Sequence, residues 1–125
     1  MKKDILHRND IVQLVDSFYD KVIEDSTIGP IFNDIAKVNW EHHLPIMYSF
    51  WSSILLNEAT YTGNPMVKHV ALSKQFPLTE EHFRVWLQLF HETVDEHFSG
   101  LKAEEAKMRA ATIAQIMRQK VSASA

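Results

Sequence analysis

The spacing of apolar residues restricts this chain to helices along nearly its whole length. Ile11, Leu14, Val15, Phe18 and Val22 recur at intervals of three and four residues, as the buried face of one helix requires. We find no segment with the alternation typical of a strand. The chain has 125 residues, which is the size of one domain. The sequence therefore predicts a single all-α domain over residues 1–125, with a disordered tail from about residue 121.

Capping residues and turn formers predict where the first elements begin and end. Asn9 or Asp10 is a plausible cap for the first helix. Residues 26–30 contain turn formers, and we expect a short connecting helix to begin at residue 31. The sequence thus predicts a long helix followed by a short connector.

The second long helical pattern runs over residues 39–57 and contains a proline. Pro45 has no N–H to bond the carbonyl of Glu41, so the regular helix is expected to begin near Leu44 or to be bent there. Residues 61–65 are turn formers and predict a loop. A short helix through His69 should follow and end before the Phe-Pro pair at 76–77.

Two further helices complete the predicted fold. Thr79 should cap the third long helix, and Ser99 and Gly100 should end it. Its apolar face comprises Phe83, Trp86, Leu87, Phe90 and Val94. The last helix carries a stripe of mostly small residues, namely Ala106, Ala110, Ile113 and Met117. An element of two or three turns thus stands among long helices, unlike the similar lengths of a plain four-helix bundle.

Composition excludes several classes of function. The net charge is −3, which does not suit nucleic-acid binding. The chain has no cysteine, so disulfides, thiolate catalysis and cysteine-ligated zinc are excluded. With only 3 glycines, a glycine-rich phosphate loop is not available. We find no secretory signal and no apolar run long enough for a membrane, so we expect a soluble cytoplasmic protein that contacts neither nucleic acid nor membrane.

Histidine is the unusual residue, with 7 in the chain. A helical zinc motif needs two histidines four residues apart, but His91 is followed by the next histidine only at His97. His42 and His43 are adjacent and point in different directions on a helix, so they do not chelate one ion together. A hydrolytic triad is also disfavoured, because no serine lies in a nucleophile-elbow context.

Haem iron needs only one axial histidine, and His69 is the candidate. It lies in the short apolar segment 66–72, which has no other evident purpose. The alternative is a surface histidine on a connector. Considered alone, this alternative is favoured, since a lone histidine is a weak signal.

Inward-facing residues on the long helices favour the haem hypothesis. His43, Met47, Phe50 and Ile54 form one stripe, and stripes of this kind are usually ordinary core. This one begins with a histidine beside Pro45, where the helix is poorly held and the side chain could swing.

Two further inward residues carry polar hydrogens. Tyr19 lies on the inner face of the first helix, beside Phe18, and Trp86 on that of the third long helix. A buried hydroxyl and a buried indole N–H each need a partner. They bond to backbone carbonyls, as in an ordinary core, or they point at a ligand.

The ordered set of motifs resembles the truncated haemoglobins of group III, the P group. The matching segments are Phe18-Tyr19, Ile28-Gly29-Pro30-Ile31-Phe32, His43-Leu44-Pro45, Met47 through Trp51, Tyr61 through Pro65, His69, and His82 through Phe90. The resemblance covers about residues 4–120. The glycine pairs of groups I and II are absent, as is common in group III.

This resemblance implies a truncated globin fold, a two-over-two helical sandwich around haem b. His69 is similar to the proximal histidine that binds the iron. Tyr19 and Trp86 resemble the distal residues that contact the ligand, with Phe18 beside them, and His43 resembles the distal histidine, a candidate gate. The expected haem contacts are Phe32, Met47, Phe50, Trp51 and Phe90, with Tyr61, Lys68 and Arg84 as candidates for holding the propionates.

The implied function is binding of dioxygen or another diatomic gas with high affinity and slow release, by a bacterial protein that is a monomer. A second hypothesis is a haem redox enzyme that dioxygenates nitric oxide or reduces peroxide, with a reductase as partner. A third is a haem-free helical binding module, in which the inward aromatic residues are only core.

Overall fold

Four long helices make up most of the chain. The computed structural model describes residues 2–35, 39–57 and 78–124; for residues 34, 35 and 121–124 it describes the backbone only. The helices are α1 (Arg8–Glu24), α2 (Trp40–Leu55), α3 (Glu80–His97) and α4 (Leu101–Ser124). A π-helical turn, Ile31–Ile35, lies between α1 and α2 where the short connecting helix was predicted. α4 continues past residue 121 as far as residue 124. The predicted loop 61–65 and the short helix through His69 lie outside the described residues.

The start of α1 differs from the prediction. The helix begins at Arg8 with His7 as its N-cap, so the prediction of Asn9 or Asp10 as the cap is wrong. Asp10 instead lies in the first turn, and its carboxylate accepts hydrogen bonds from the backbone N–H groups of Leu6 and His7 at 2.9 and 3.0 Å. These two bonds pair backbone N–H groups that have no acceptor within the helix itself. Asp10 also forms an ion pair with Lys3 at 2.6 Å.

The start of α2 also differs, because the helix passes through its proline. It begins at Trp40, with Asn39 as N-cap, and not near Leu44. The backbone N–H groups of His42 and His43 both donate to the carbonyl of Asn39, at 3.1 and 2.8 Å. These bonds form the first turn before Pro45, so the proline leaves only one carbonyl of the turn without its helical donor.

The N-terminal segment is fastened to the turn between α3 and α4. Thr79 caps α3 as predicted. The carboxylate of Asp4 accepts hydrogen bonds from Lys102 and Ala103 N–H at 3.0 and 2.8 Å, so it caps α4. Gly100 adopts a φ of 143°, which residues other than glycine rarely adopt. It ends the α3–α4 connection close to Asp4.

The helices form the predicted two-over-two arrangement. α1 packs against α2 and against α3, and α3 packs against α4. The shared core includes the apolar face of α1 and the small residues of α4, with Ala106 and Ala110 fully buried. Among the described residues there is one isolated β-bridge, between Lys3 and Phe98, and no strand. No helix in the described part of the chain is long and apolar enough to cross a membrane.

Candidate functional site

Aromatic rings from α1, α2 and α3 meet where these helices pack together. Phe18 and Tyr19 are consecutive on α1 and both are buried, with ring centroids 4.9 Å apart. Because neighbouring helix positions point in different directions, each of the two rings joins a different group of residues. Tyr19 faces α2 and the π-helical turn, whereas Phe18 faces α3.

The first group, here called the distal cluster, consists of Tyr19, Phe32, Trp40 and His43. The Tyr19 ring lies 5.2 Å from Trp40, 5.5 Å from His43 and 6.1 Å from Phe32. Trp40 also lies 5.7 Å from His43 and stacks on Phe32 at 5.9 Å. Phe32, Trp40 and His43 are half-buried, so they cover the buried Tyr19.

The hydroxyl of Tyr19 has no hydrogen-bond partner among the residues that the structure describes. Burial raises the pKa of Tyr19 well above its ordinary value, because the apolar surroundings disfavour the phenolate. The group therefore stays protonated and is available as a donor. A tyrosine hydroxyl that bonds to no described residue can donate to a ligand beside it.

The second aromatic group connects α1 to α3. The Phe18 ring contacts Trp86 at 5.6 Å and Phe90 at 5.2 Å, both edge to face. Phe90 is fully buried and stacks on Trp51 at 4.7 Å. Trp86 is half-buried, and its indole N–H has no acceptor within the described ranges. The Phe18 ring thus contacts both Tyr19 and Trp86.

The predicted stripe on α2 is only partly covered by protein. His43, Met47, Phe50 and Ile54 are all half-buried, whereas Trp51 beside them is buried. Apolar side chains on one helix face that stay half-exposed are what a flat apolar group would cover. Together with the Tyr19 hydroxyl, this face is one that would hold a haem.

Of the remaining predicted site residues, the structure describes Arg84. Arg84 is exposed on α3 and forms an ion pair with Glu81, so a propionate would have to compete with that carboxylate. His69, Tyr61 and Lys68 lie outside the described residues. The predicted iron ligand and two of the predicted propionate partners are therefore not placed.

The structure adds one residue that the sequence analysis did not select, Trp40. The prediction was that the regular helix begins near Leu44 or is bent there, so Trp40 was not assigned a direction. The available signal was the spacing of three between Trp40 and His43, which places them on one face of a helix. Asn39, a strong capping residue, indicates the same helix start.

Polar contacts fix α2 against α1 beside the distal cluster. The Tyr48 hydroxyl donates a short hydrogen bond to Asp16. Burial, then this bond and the charge of Asp16, raise the pKa of Tyr48 to about 12. Arg8 donates to Ser49 at 3.3 Å and to Ser52 at 3.5 Å. These contacts hold the α2 face toward Tyr19.

Comparison with known proteins agrees with this arrangement. Residues 4–121 match the family described as bacterial-like globin. A relative, the group 3 truncated hemoglobin ctb of Campylobacter jejuni, is 36% identical over 98 residues, which cover 76% of this chain and 75% of the relative. The crystal structure of the group III truncated hemoglobin from Campylobacter jejuni matches with a TM-score of 0.83 and 31% identity, over 97% of this chain and 95% of that one.

Fold and aromatic cluster together define a truncated globin. The chain belongs to the bacterial-like globin family, and the resemblance to group III truncated haemoglobins is confirmed. Membership of a globin family implies haem binding, and the half-buried α2 face and the Tyr19 donor fit that group.

Proposed function

We propose that this globin binds haem b through His69 and takes up dioxygen, or a related diatomic gas, with high affinity and slow release. The observation that carries the proposal is the Tyr19 hydroxyl, which is buried beside His43 and Trp40 with no partner in the described part of the chain. The fold alone would not require a buried donor at this point. A cytoplasmic location and a monomeric state belong to the same proposal.

The proposed mechanism assigns binding and donation to different residues. Haem, when bound, supplies the iron at which a diatomic ligand binds and shifts negative charge onto that ligand. Tyr19 and Trp86 donate hydrogen bonds to that charge from fixed positions. Phe18 and Phe90 exclude water around them, because both rings are buried. Dry, preoriented donors strengthen the hold on a charged ligand more than on a neutral one.

The first experiment measures haem binding. Titration of the haem-free chain with haem b, followed by visible absorption, should saturate at one haem per chain. In a matched pair of variants, His69→Ala should abolish the normal spectrum and added imidazole should partly restore it, whereas His82→Ala should leave it unchanged. His82 is a suitable control because it lies at the start of α3, where its ring accepts a bond from Thr79 N–H. No spectral change with haem would refute the proposal, and loss only in His82→Ala would refute the role of His69.

His43 acts as a gate in this proposal. Its ring lies edge-on to Tyr19, on the turn of α2 that ends at Pro45 and is therefore held by fewer backbone bonds. His43→Ala should change the association rate of dioxygen more than its dissociation rate, measured by flash photolysis and stopped flow. A large rise in dissociation with unchanged association would show that His43 is a ligand donor and not a gate.

A further inference from the structure

Trp40 occupies a position from which it can restrain His43. It is the first residue of α2, and its ring lies 5.7 Å from that of His43 with an angle of 76° between the planes. The same ring stacks on Phe32 at 5.9 Å and 26° and contacts Tyr19 at 5.2 Å. Trp40, like Tyr19, thus contacts all three other rings of the distal cluster.

We propose that Trp40 is a latch that holds the His43 ring against Tyr19 and so sets the rate at which ligands enter. This inference rests on the proposed function, in which the ligand binds beside Tyr19 and His43 is the gate. Trp40 is a positioning residue here, because it acts through His43.

The geometry couples the motion of His43 to that of Trp40. Tyr19, Trp40 and His43 each contact the other two, so His43 leaves Tyr19 only by breaking its contact with Trp40 or by displacing it. Displacing Trp40 would break its stack on Phe32, which belongs to a different element, the π-helical turn. Two elements therefore hold the closed position of the gate.

The backbone beneath the latch favours local opening. The His43 N–H donates to the Asn39 carbonyl, and the His42 N–H donates to that carbonyl and to the Asn39 side chain. Pro45 offers no N–H to the carbonyl of Glu41. The ring contacts with Tyr19 and Trp40 therefore help to hold His43 in position. Aromatic contacts of this kind are the interaction that Trp40 supplies.

The first test needs no haem. Diethyl pyrocarbonate modifies accessible imidazoles, and mass spectrometry reports the rate separately for His43 and for its exposed neighbour His42. In Trp40→Ala, the His43 rate should rise about 2- to 12-fold, the population shift that corresponds to losing about 0.5–1.5 kcal/mol of ring contact. The His42 rate should not change. Trp40→Phe, which keeps a smaller ring, should give a smaller rise.

A matched control separates the latch from general loosening of α2. Leu44 is half-buried on the same helix, and Leu44→Ala should leave the His43 rate unchanged. An equal rise in Leu44→Ala, or no rise in either Trp40 variant, would overturn the proposal. Circular dichroism and Tm establish that the compared variants are folded. If Trp40→Ala does not fold, Trp40→Phe alone decides, because an unchanged rate there contradicts the latch.

The second test is kinetic and uses the haem-bound chain. Trp40→Ala should raise the association rates of dioxygen and carbon monoxide by the same 2- to 12-fold factor, because opening a gate does not depend on ligand charge. In a His43→Ala background the substitution should have little further effect. If Trp40→Ala raised the association rates by the same factor with and without His43→Ala, the latch would be overturned. Failure of haem to bind would instead refute the proposed function, while the modification rates of His43 and His42 would still decide the latch.

Discussion

Tyr19 and Tyr48 provide a paired test of the idea that one hydroxyl is kept for a ligand. Both residues face the contact between α1 and α2, and tyrosine to phenylalanine removes one oxygen atom from each. The Tyr48 hydroxyl donates to Asp16, whereas the Tyr19 hydroxyl bonds to no residue that the structure describes. The two substitutions should therefore change stability in opposite directions.

The magnitudes follow from the surroundings of each hydroxyl. A hydrogen bond to a charged group contributes about 1.5–3 kcal/mol, and since Tyr48 and Asp16 are half-buried we expect Tyr48→Phe to lower the free energy of unfolding by about 1–2 kcal/mol. Burying a hydroxyl without a partner costs about 1–3 kcal/mol, so Tyr19→Phe should leave the stability of the unliganded protein unchanged or raise it by up to about 2 kcal/mol.

For dioxygen dissociation, we expect the larger effect from Tyr19→Phe and the smaller one from Tyr48→Phe. Losing a hydrogen bond of about 1.5–3 kcal/mol to a charged ligand speeds dissociation by about 10- to 150-fold in Tyr19→Phe. Tyr48→Phe should change dissociation by less than about 3-fold, since its hydroxyl bonds Asp16. Carbon monoxide, which carries less charge, should respond far less in both variants.

Urea unfolding followed by circular dichroism, with all variants in the same ligation state, measures the stability of each variant. Stopped-flow displacement of dioxygen by carbon monoxide measures dissociation. A loss of more than about 1 kcal/mol in Tyr19→Phe would show that its hydroxyl has a protein partner. Equal effects on dioxygen and carbon monoxide would show that Tyr19 acts through pocket shape, and the account based on donation would fail.

Three further predictions concern separate features. If Tyr19 and Trp86 both donate to one ligand, the double variant Tyr19→Phe/Trp86→Phe should raise the dioxygen dissociation rate by less than the product of the two single fold-changes. A fold-change equal to that product, measured by stopped flow, would contradict this. Burial alone would raise the pKa of Asp10, but Lys3 and two backbone N–H groups lower it overall. The ionised carboxylate therefore stabilises the fold at neutral pH, and this stabilisation is lost as the pH falls below about 4. In urea unfolding, Asp10→Asn should be less stable than the parent protein at neutral pH, and this difference should become smaller below about pH 4; a difference that does not change with pH would contradict the prediction. Gly100→Ala should lower the free energy of unfolding by about 1–3 kcal/mol in the same assay, because residue 100 has a φ of 143° and an added Cβ would lie 2.5 Å from the Asp4 carboxyl carbon. An unchanged urea midpoint would show that the turn adjusts to the added methyl group.

The sequence predicts helix faces well and helix starts less well. Tyr19, Phe18 and Phe90 were placed inward from spacing alone, and all three are buried. The start of α1 was misplaced because sequence shows that Asp10 is an acceptor but not which N–H groups it bonds. The predicted start of α2 near Leu44 was wrong because the N–H groups of His42 and His43 bond the Asn39 carbonyl, which forms a helical turn before Pro45.

The ring contacts of the candidate site could not be predicted from spacing. Periodicity gives each side chain a direction around its own helix, whereas the contact between Tyr19 and Trp40 depends on how α1 crosses α2. That crossing is fixed by particular polar bonds, such as Tyr48 to Asp16, whose partners are 32 positions apart in sequence. The assignment of His69 to iron depends on the family resemblance and stays a prediction.

The distribution of satisfied and unsatisfied polar groups links the stability of this fold to its proposed function. At the contact between α1 and α2, Arg8 bonds two serines and Tyr48 bonds Asp16, so polar groups a few turns from the distal cluster have partners. Inside the cluster, the Tyr19 hydroxyl has none among the described residues. The surrounding bonds stabilise the contact between α1 and α2 and leave the protonated Tyr19 hydroxyl available to a ligand, as the proposed binding of a charged diatomic gas requires.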